Sequence, residues 1–143
     1  MDNRTFYNDI LTDHNLHPGN KRQMEQPFVQ MEGVNPSCGD DIILQLRVKD
    51  GVIEDGAFTG SGCAISQASA DMMLDLIIGK TTEEARRLSD IFLRMIKEKI
   101  SDEELEELEE AAALQDIAHM PSRVKCAVLG WHTMEEILDG DEP

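Results

Sequence analysis

The chain has 143 residues, 41% of them hydrophobic, and 29 Asp and Glu stand against 13 Lys and Arg, a net charge of −16. That length supports one core without disulfide staples, and that charge is repelled by nucleic acid and by anionic membrane surfaces. No apolar run approaches a bilayer span, Met1-Asp2-Asn3-Arg4 lacks an apolar signal segment, and three widely spaced cysteines make no disulfide framework. The reading is one cytoplasmic domain over residues 1–143, with reduced thiols and an aliphatic, Met-filled core.

Phe6, Tyr7, Ile10, Leu11 and His14 recur at helical spacing, which predicts a short amphipathic helix ending near His17-Pro18-Gly19-Asn20. A first strand is expected over Phe28–Val34. Ile42, Leu44, Leu46 and Val48 alternate with Ile43, Gln45, Arg47 and Lys49, the pattern of a half-buried strand. Asp50-Gly51 is a two-residue hairpin turn, and Val52–Thr59 returns as the partner strand.

After Cys63 the period changes. Ile65, Ala68, Met72, Met73, Leu76 and Ile77 predict a helix ending at Gly79. Thr81 with Glu84 has capping-box spacing ahead of Ala85, Leu88, Ile91, Phe92, Met95 and Ile96. Ser101 with Glu104 repeats it ahead of Leu105, Leu108, Ala111 and Ala112. Residues 101–120 carry eight acids and no Lys or Arg, and a solvated helix face accounts for them without calcium, since EF-hand spacing is lacking. Pro121 suits a helix start, and Val124, Ala127, Val128, Trp131, Met134 and Leu138 carry the last helix. Strands followed by helices imply an α+β fold, a small antiparallel sheet of about three strands packed against several helices.

Cys38 opens Cys38-Gly39-Asp40 in a Pro- and Gly-bearing loop; Cys63 ends Gly60-Ser61-Gly62-Cys63 at a helix N-terminus; Cys126 follows Arg123-Val124-Lys125 early in the last helix. A helix N-terminus and nearby cations favour thiolate, so all three are candidates for a lowered pKa. Three sulfurs and the Asp40 carboxylate make the four ligands of a tetrahedral zinc site. The spacing alone, 25 and 63 residues with no Cys-x-x-Cys pair, also fits three unrelated core cysteines. His119 and His132 have no ligand-like spacing to the cysteines, and no Cys–His pair suggests protease-type chemistry.

Taken together, Asn35-Pro36-x-Cys38-Gly39-Asp40, Gly60-x-Gly62-Cys63-Ala64-Ile65-Ser66-x-Ala68-Ser69, Arg123-x-Lys125-Cys126 and the early Asp13-His14-x-x-x-Pro18-x-Asn20 closely resemble the IscU-like proteins of iron–sulfur cluster assembly. The resemblance runs from first helix to last. It implies the family's compact α+β fold, the ligand set Cys38, Asp40, Cys63 and Cys126, and a packing role for His14 and His17 at the N-terminal turn. Scaffold-type members carry His immediately before the third cysteine, where this chain has Lys125, and the interval from Cys63 to Cys126 is longer, with the acidic helical segment at about 101–119 as the insertion. Both features resemble the SufU branch, which works with the cysteine desulfurase SufS in Gram-positive bacteria.

That resemblance implies zinc, a sulfur-accepting Cys38 freed when the desulfurase supplies a replacement His ligand, a supporting Arg123, and delivery to a downstream iron–sulfur scaffold or apo-proteins. It leans towards an enzyme, a zinc-dependent sulfurtransferase. A scaffold holding a transient [2Fe–2S] cluster on the same ligands is the alternative. A binding module whose zinc is purely structural is a third.

Overall fold

The structure, a computed structural model, describes residues 3–141, with side chains from 9 to 140. Helix α1 (Asn3–Leu16) leads into strands β1 (Val29–Asn35), β2 (Asp40–Lys49) and β3 (Val52–Ser61). Helices α2 (Ala64–Ile77), α3 (Thr82–Lys97) and α4 (Asp102–Glu107) follow, then a 3-10 helix (Glu109–His119) and α5 (Pro121–Asp141). The strands form an antiparallel meander in the order β1-β2-β3, so the expected α+β class and three-stranded sheet are observed. The expected contributions of Phe6 and Tyr7 to the first helix's apolar face lie outside the described side chains.

Local chemistry explains the boundaries. Asp50 and Gly51 both adopt positive φ, 53° and 77°, the left-handed pair that matches hairpin twist. Thr81 Oγ1 accepts the Glu84 N–H at 3.1 Å and Ser101 Oγ accepts the Glu104 N–H at 3.2 Å, so both predicted caps form. Ile42, Leu44 and Leu46 are fully buried on one face of β2, where α5 packs on β2 and α2 on the neighbouring β3. Residues 20–22 run beside β3, where Asn20 O accepts from Phe58 N–H at 2.9 Å and Phe58 O accepts from Arg22 N–H at 3.0 Å.

Two expectations change. Gln45, placed on the solvent side, is buried: its Oε1 accepts the Met24 N–H at 2.9 Å, because the chain before β1 folds across that face. The helix expected after Ser101 stops after Glu107, and Glu109 turns left-handed with φ 52°. Beyond it the backbone tightens to three residues per turn. Leu108, Ala111, Leu114 and Ile117, spaced by three, are therefore buried along one line. The acids here are not only solvated. Glu104 pairs with Arg94, Glu107 with Arg87, and Glu110 with His14.

His14 is buried between α1, α2 and the 3-10 helix, its Nδ1 2.6 Å from Asp71 Oδ2 and its Nε2 2.8 Å from Glu110 Oε1. Only an imidazolium donates from both nitrogens. Burial opposes that charge, but the bonds to Asp71 and Glu110 outweigh it and hold the pKa above the ordinary 6.5. A raised folded pKa stabilises the fold fully below the unfolded value, and the contribution fades as pH rises through the folded value. Charged hydrogen bonds contribute about 1.5–3 kcal/mol, so urea unfolding should show His14→Gln less stable than wild type by that order near pH 6. The gap should narrow towards pH 9; a gap independent of pH would contradict a cationic His14.

Candidate metal centre

The Asn35–Asp40 hairpin carries the first half of the site. Asn35 and Asp40 are paired opposite one another at the ends of β1 and β2. Asn35 O accepts the Cys38 N–H at 3.3 Å, which closes the turn, and Gly39, at φ 71°, lets Cys38 and Asp40 face the same way. The second half comes from helix ends. Cys63 is the N-cap of α2, its Sγ accepting the Ser66 N–H at 3.5 Å. Cys126 lies in the second turn of α5, fully buried.

These elements bring one donor atom each from Cys38, Asp40 and Cys126 within 4.8 Å of one another. Cys126 Sγ lies 3.0 Å from Cys38 Sγ, and the Cys38 thiol reaches Ser122 O at 3.9 Å. Cys63 stands next to Cys126, close enough to act on its titration, but its sulfur turns to the α2 N-terminus and stays outside that three-atom cluster. Asp40 is 1% exposed and its carboxylate is held on both oxygens. Oδ1 accepts the Cys63 N–H at 2.7 Å and the Ser66 hydroxyl at 3.1 Å; Oδ2 accepts the Asn35 amide at 3.3 Å. Gly62 makes that approach possible, since a Cβ there would sit 2.7 Å from Asp40 Oδ1.

Burial works against the Asp40 charge, but the bonds from Cys63, Cys126, Ser66 and Asn35 prevail and hold the carboxyl below the ordinary range. Cys126 is the opposite case. Burial first, then Cys38, Cys63 and Asp40 beside it, push its thiol far above the usual value. The expectation of a lowered pKa at Cys126 fails because Arg123 and Lys125 project from the solvent side of α5 while Cys126 faces inward. Thiols crowded against a carboxylate are a poor resting arrangement without a cation and a good one with it: a divalent ion reverses the balance by taking thiolates as ligands. The donor set, sulfur with one carboxylate oxygen, fits zinc.

Arg123 is exposed in the first turn of α5 and joins none of the site's hydrogen bonds among the described residues. His17, His119 and His132 are also exposed, and none of them belongs to the cluster. The groove between the end of α3 and the 3-10 helix, about 440 Å³, is lined by Met95, Lys99, Leu105, Gln115 and His119 and by none of the four expected ligands. No helix among the described residues is long and apolar enough to cross a membrane.

A profile of the NifU-like N terminal domain matches residues 6–138. The chain belongs to the NifU-like N-terminal domain family. Within this iron–sulfur cluster assembly family it is 39% identical over 138 residues to the zinc-dependent sulfurtransferase SufU of Bacillus subtilis, spanning 96% of this chain and 92% of that protein. It is 40% identical over 134 residues to the iron–sulfur cluster assembly scaffold protein IscU of Streptococcus pyogenes, spanning 93% and 82%. A crystal structure described as a candidate scaffold for the SUF system, from Fervidobacterium islandicum, superposes with a TM-score of 0.84 at 33% identity, covering 91% of this chain and 94% of that one. The sequence resemblance to the SufU branch of IscU-like proteins therefore holds over nearly the whole chain.

Two contributors were not singled out from sequence. Asn35 and Ser66 each sit inside a cysteine-bearing motif, but neither is a metal ligand by type, and what they touch depends on strand register and helix entry. The Asp71 partner of His14 lies 57 residues away and had no local signal.

Proposed function

We propose that this protein is a zinc-dependent sulfur acceptor in iron–sulfur cluster biogenesis, with Cys38, Asp40, Cys63 and Cys126 as ligands. The observation that carries the reading is the convergence of Cys38, Asp40 and Cys126, from a hairpin and a helix, on one point. When bound, zinc keeps its cysteines deprotonated at neutral pH. Cys38 is the acceptor. It is half-buried at the mouth, on a turn next to a glycine, whereas Cys126 is sealed in the core.

The transfer is a thiol–disulfide type exchange. The Cys38 thiolate attacks the outer sulfur of a desulfurase persulfide, forming a Cys38 persulfide as the old S–S bond breaks. The desulfurase cysteine leaves with the bonding electron pair as thiolate. Nothing is oxidised or reduced overall, and the outer-sulfur proton stays on the new persulfide or passes to solvent. A half-buried Cys38 on a hairpin turn suits a protein-bound donor, here a SufS-type cysteine desulfurase, and the exposed Arg123 is available to support that docking. Downstream scaffolds or apo-proteins receive the sulfur, in the cytoplasm.

The similarity to scaffold proteins of Streptococcus pyogenes and Thermotoga maritima favours a second reading, assembly of a [2Fe–2S] cluster on the same ligands. Metal and sulfide content of the anaerobically purified chain, with desulfurase turnover measured alongside, separates the two. One zinc per chain, no labile sulfide and a rise in turnover that Cys38→Ala returns to background are expected. Iron with matching labile sulfide would establish the scaffold instead, and stimulation surviving in Cys38→Ala would remove Cys38 from the acceptor role.

A further inference from the structure

The four expected ligands are not held alike. Asp40 accepts three hydrogen bonds, Cys63 accepts the Ser66 N–H, and Cys126 Sγ has the Asn35 side-chain N–H at 3.7 Å. With all three thiols ionised, Cys38 alone among the described residues has no N–H or O–H directed at its sulfur; its other neighbour, Ser122 O, is itself an acceptor. Hydrogen bonds to a thiolate withdraw charge from sulfur, lowering its nucleophilicity and settling it as a permanent ligand. The sulfur without them keeps its full charge density.

One residue joins two of those ligands: among the described residues Asn35 alone donates to both Asp40 and Cys126. Asn35 is 5% exposed, and its side-chain amide nitrogen touches both Asp40 and Cys126, while its backbone carbonyl, which substitution leaves in place, closes the turn that presents Cys38. The orientation is dictated by charge, since the flipped amide would aim its oxygen at a carboxylate and a sulfur. An amide nitrogen is no zinc ligand, so its part is to position others. We propose that Asn35 is a positioning residue that locks Asp40 and Cys126 into a fixed half-site and damps the Cys126 sulfur, leaving Cys38 as the releasable ligand. This rests on the metal-centre reading above, and its consequences are read on the metal site itself, without any desulfurase.

Cobalt(II) and zinc are the probes. Wild type, Asn35→Ala, Asn35→Asp and Asn35→Ser are loaded with cobalt, and zinc release to an excess of chelator is timed. Circular dichroism verifies the fold of each variant. Removing the N–H should raise the energy of the sulfur lone pairs, so the thiolate-to-cobalt charge-transfer band should move to longer wavelength in Asn35→Ala. It should move further in Asn35→Asp, which is isosteric but puts an acceptor and a charge where a donor stood. Zinc release should quicken about 10- to 100-fold, the usual cost of removing an outer-sphere partner. Asn35→Ser, which restores a donor, should recover part of both effects. If Asn35 only filled space, Asn35→Asp would match wild type. A wild-type cobalt band left unmoved in the variants, with unchanged zinc release, overturns the role of Asn35 alone. A wild type that takes up cobalt without any thiolate band overturns the metal-centre reading and this proposal with it. Should Asn35→Asp fail to fold, Asn35→Ala against Asn35→Ser decides, and equal behaviour of those two overturns the proposal.

Discussion

Trp131→Ala is expected to lose about 3–5 kcal/mol of folding stability, the usual cost of emptying a large aromatic site. Trp131 is fully buried and stacked on Phe92, ring centroids 4.1 Å apart and planes 9° from parallel. It thereby ties α5 to α3. Its indole N–H also donates to Ser69 Oγ at 3.0 Å, and that hydroxyl donates to Ala127 O at 2.6 Å. The substitution therefore opens a cavity between three helices and removes one member of a buried polar chain, leaving Ser69 to be satisfied by Ala127 alone. Against a total of about 5–15 kcal/mol for a domain, this is about a fifth or more, and urea unfolding should move to a clearly lower midpoint. Cys126 lies on the same helix five residues earlier. Metal uptake should weaken too, though less than stability, because Cys126 is also fixed from Asn35. Trp131→Phe, which keeps stacking and gives up the N–H, should cost about 1 kcal/mol. A loss as large as that of alanine would mean the polar chain, not the packing, dominates.

How far the fold could be read from the sequence follows from the range of each signal. Asp50-Gly51, Thr81 with Glu84, and Ser101 with Glu104 act within four residues, and each forms the turn or cap its chemistry requires. The stripe Ala85, Leu88, Ile91, Phe92, Met95 and Ile96 is buried throughout. The remaining features are decided at long range or by two periods that the same residues satisfy. Gln45 alternates as a solvent-facing residue should, and only the chain folding over it from Met24 hides it. Leu108, Ala111, Leu114 and Ile117 spell a three-residue period openly, but Leu105, Leu108 and Ala112 also satisfy helical spacing, which concealed the change at Glu109.

The site divides in the same way. Its cysteines and Asp40 were legible because sulfur, carboxylate and glycine declare their chemistry by type. Asn35 and Ser66 were not, since an amide or hydroxyl has a hundred structural uses and only strand register and helix entry show which one applies here. Cys126 shows the limit of reading charge from neighbours in sequence: Arg123 and Lys125 are near it along the chain and face the other way in space.

Gly62→Ala should be the most selective lesion of the metal site. Its backbone is not left-handed, so alanine meets no conformational barrier there. The difficulty is steric: the new Cβ would lie 2.6 Å from Ser66 Oγ and 2.7 Å from Asp40 Oδ1, closer than side-chain carbons approach any heavy atom. Asp40 is anchored by the backbone of Cys63 and cannot turn without breaking that 2.7 Å bond, and Ser66 sits in the first turn of α2 with its own bond to Cys63 O at 3.0 Å. The side chains must give way together, carrying the carboxylate off the point where it meets Cys38 and Cys126. Zinc affinity is expected to fall about 10- to 100-fold, while unfolding changes by about 1–3 kcal/mol from the overpacking. Gly19→Ala, where a Cβ meets nothing within 4 Å, serves as the control and should leave zinc binding unchanged. Competition with a chromophoric chelator reads the affinity and urea unfolding reads the stability. If Gly62→Ala binds zinc as wild type does, then Asp40 is not a ligand, and the site is held by sulfur alone.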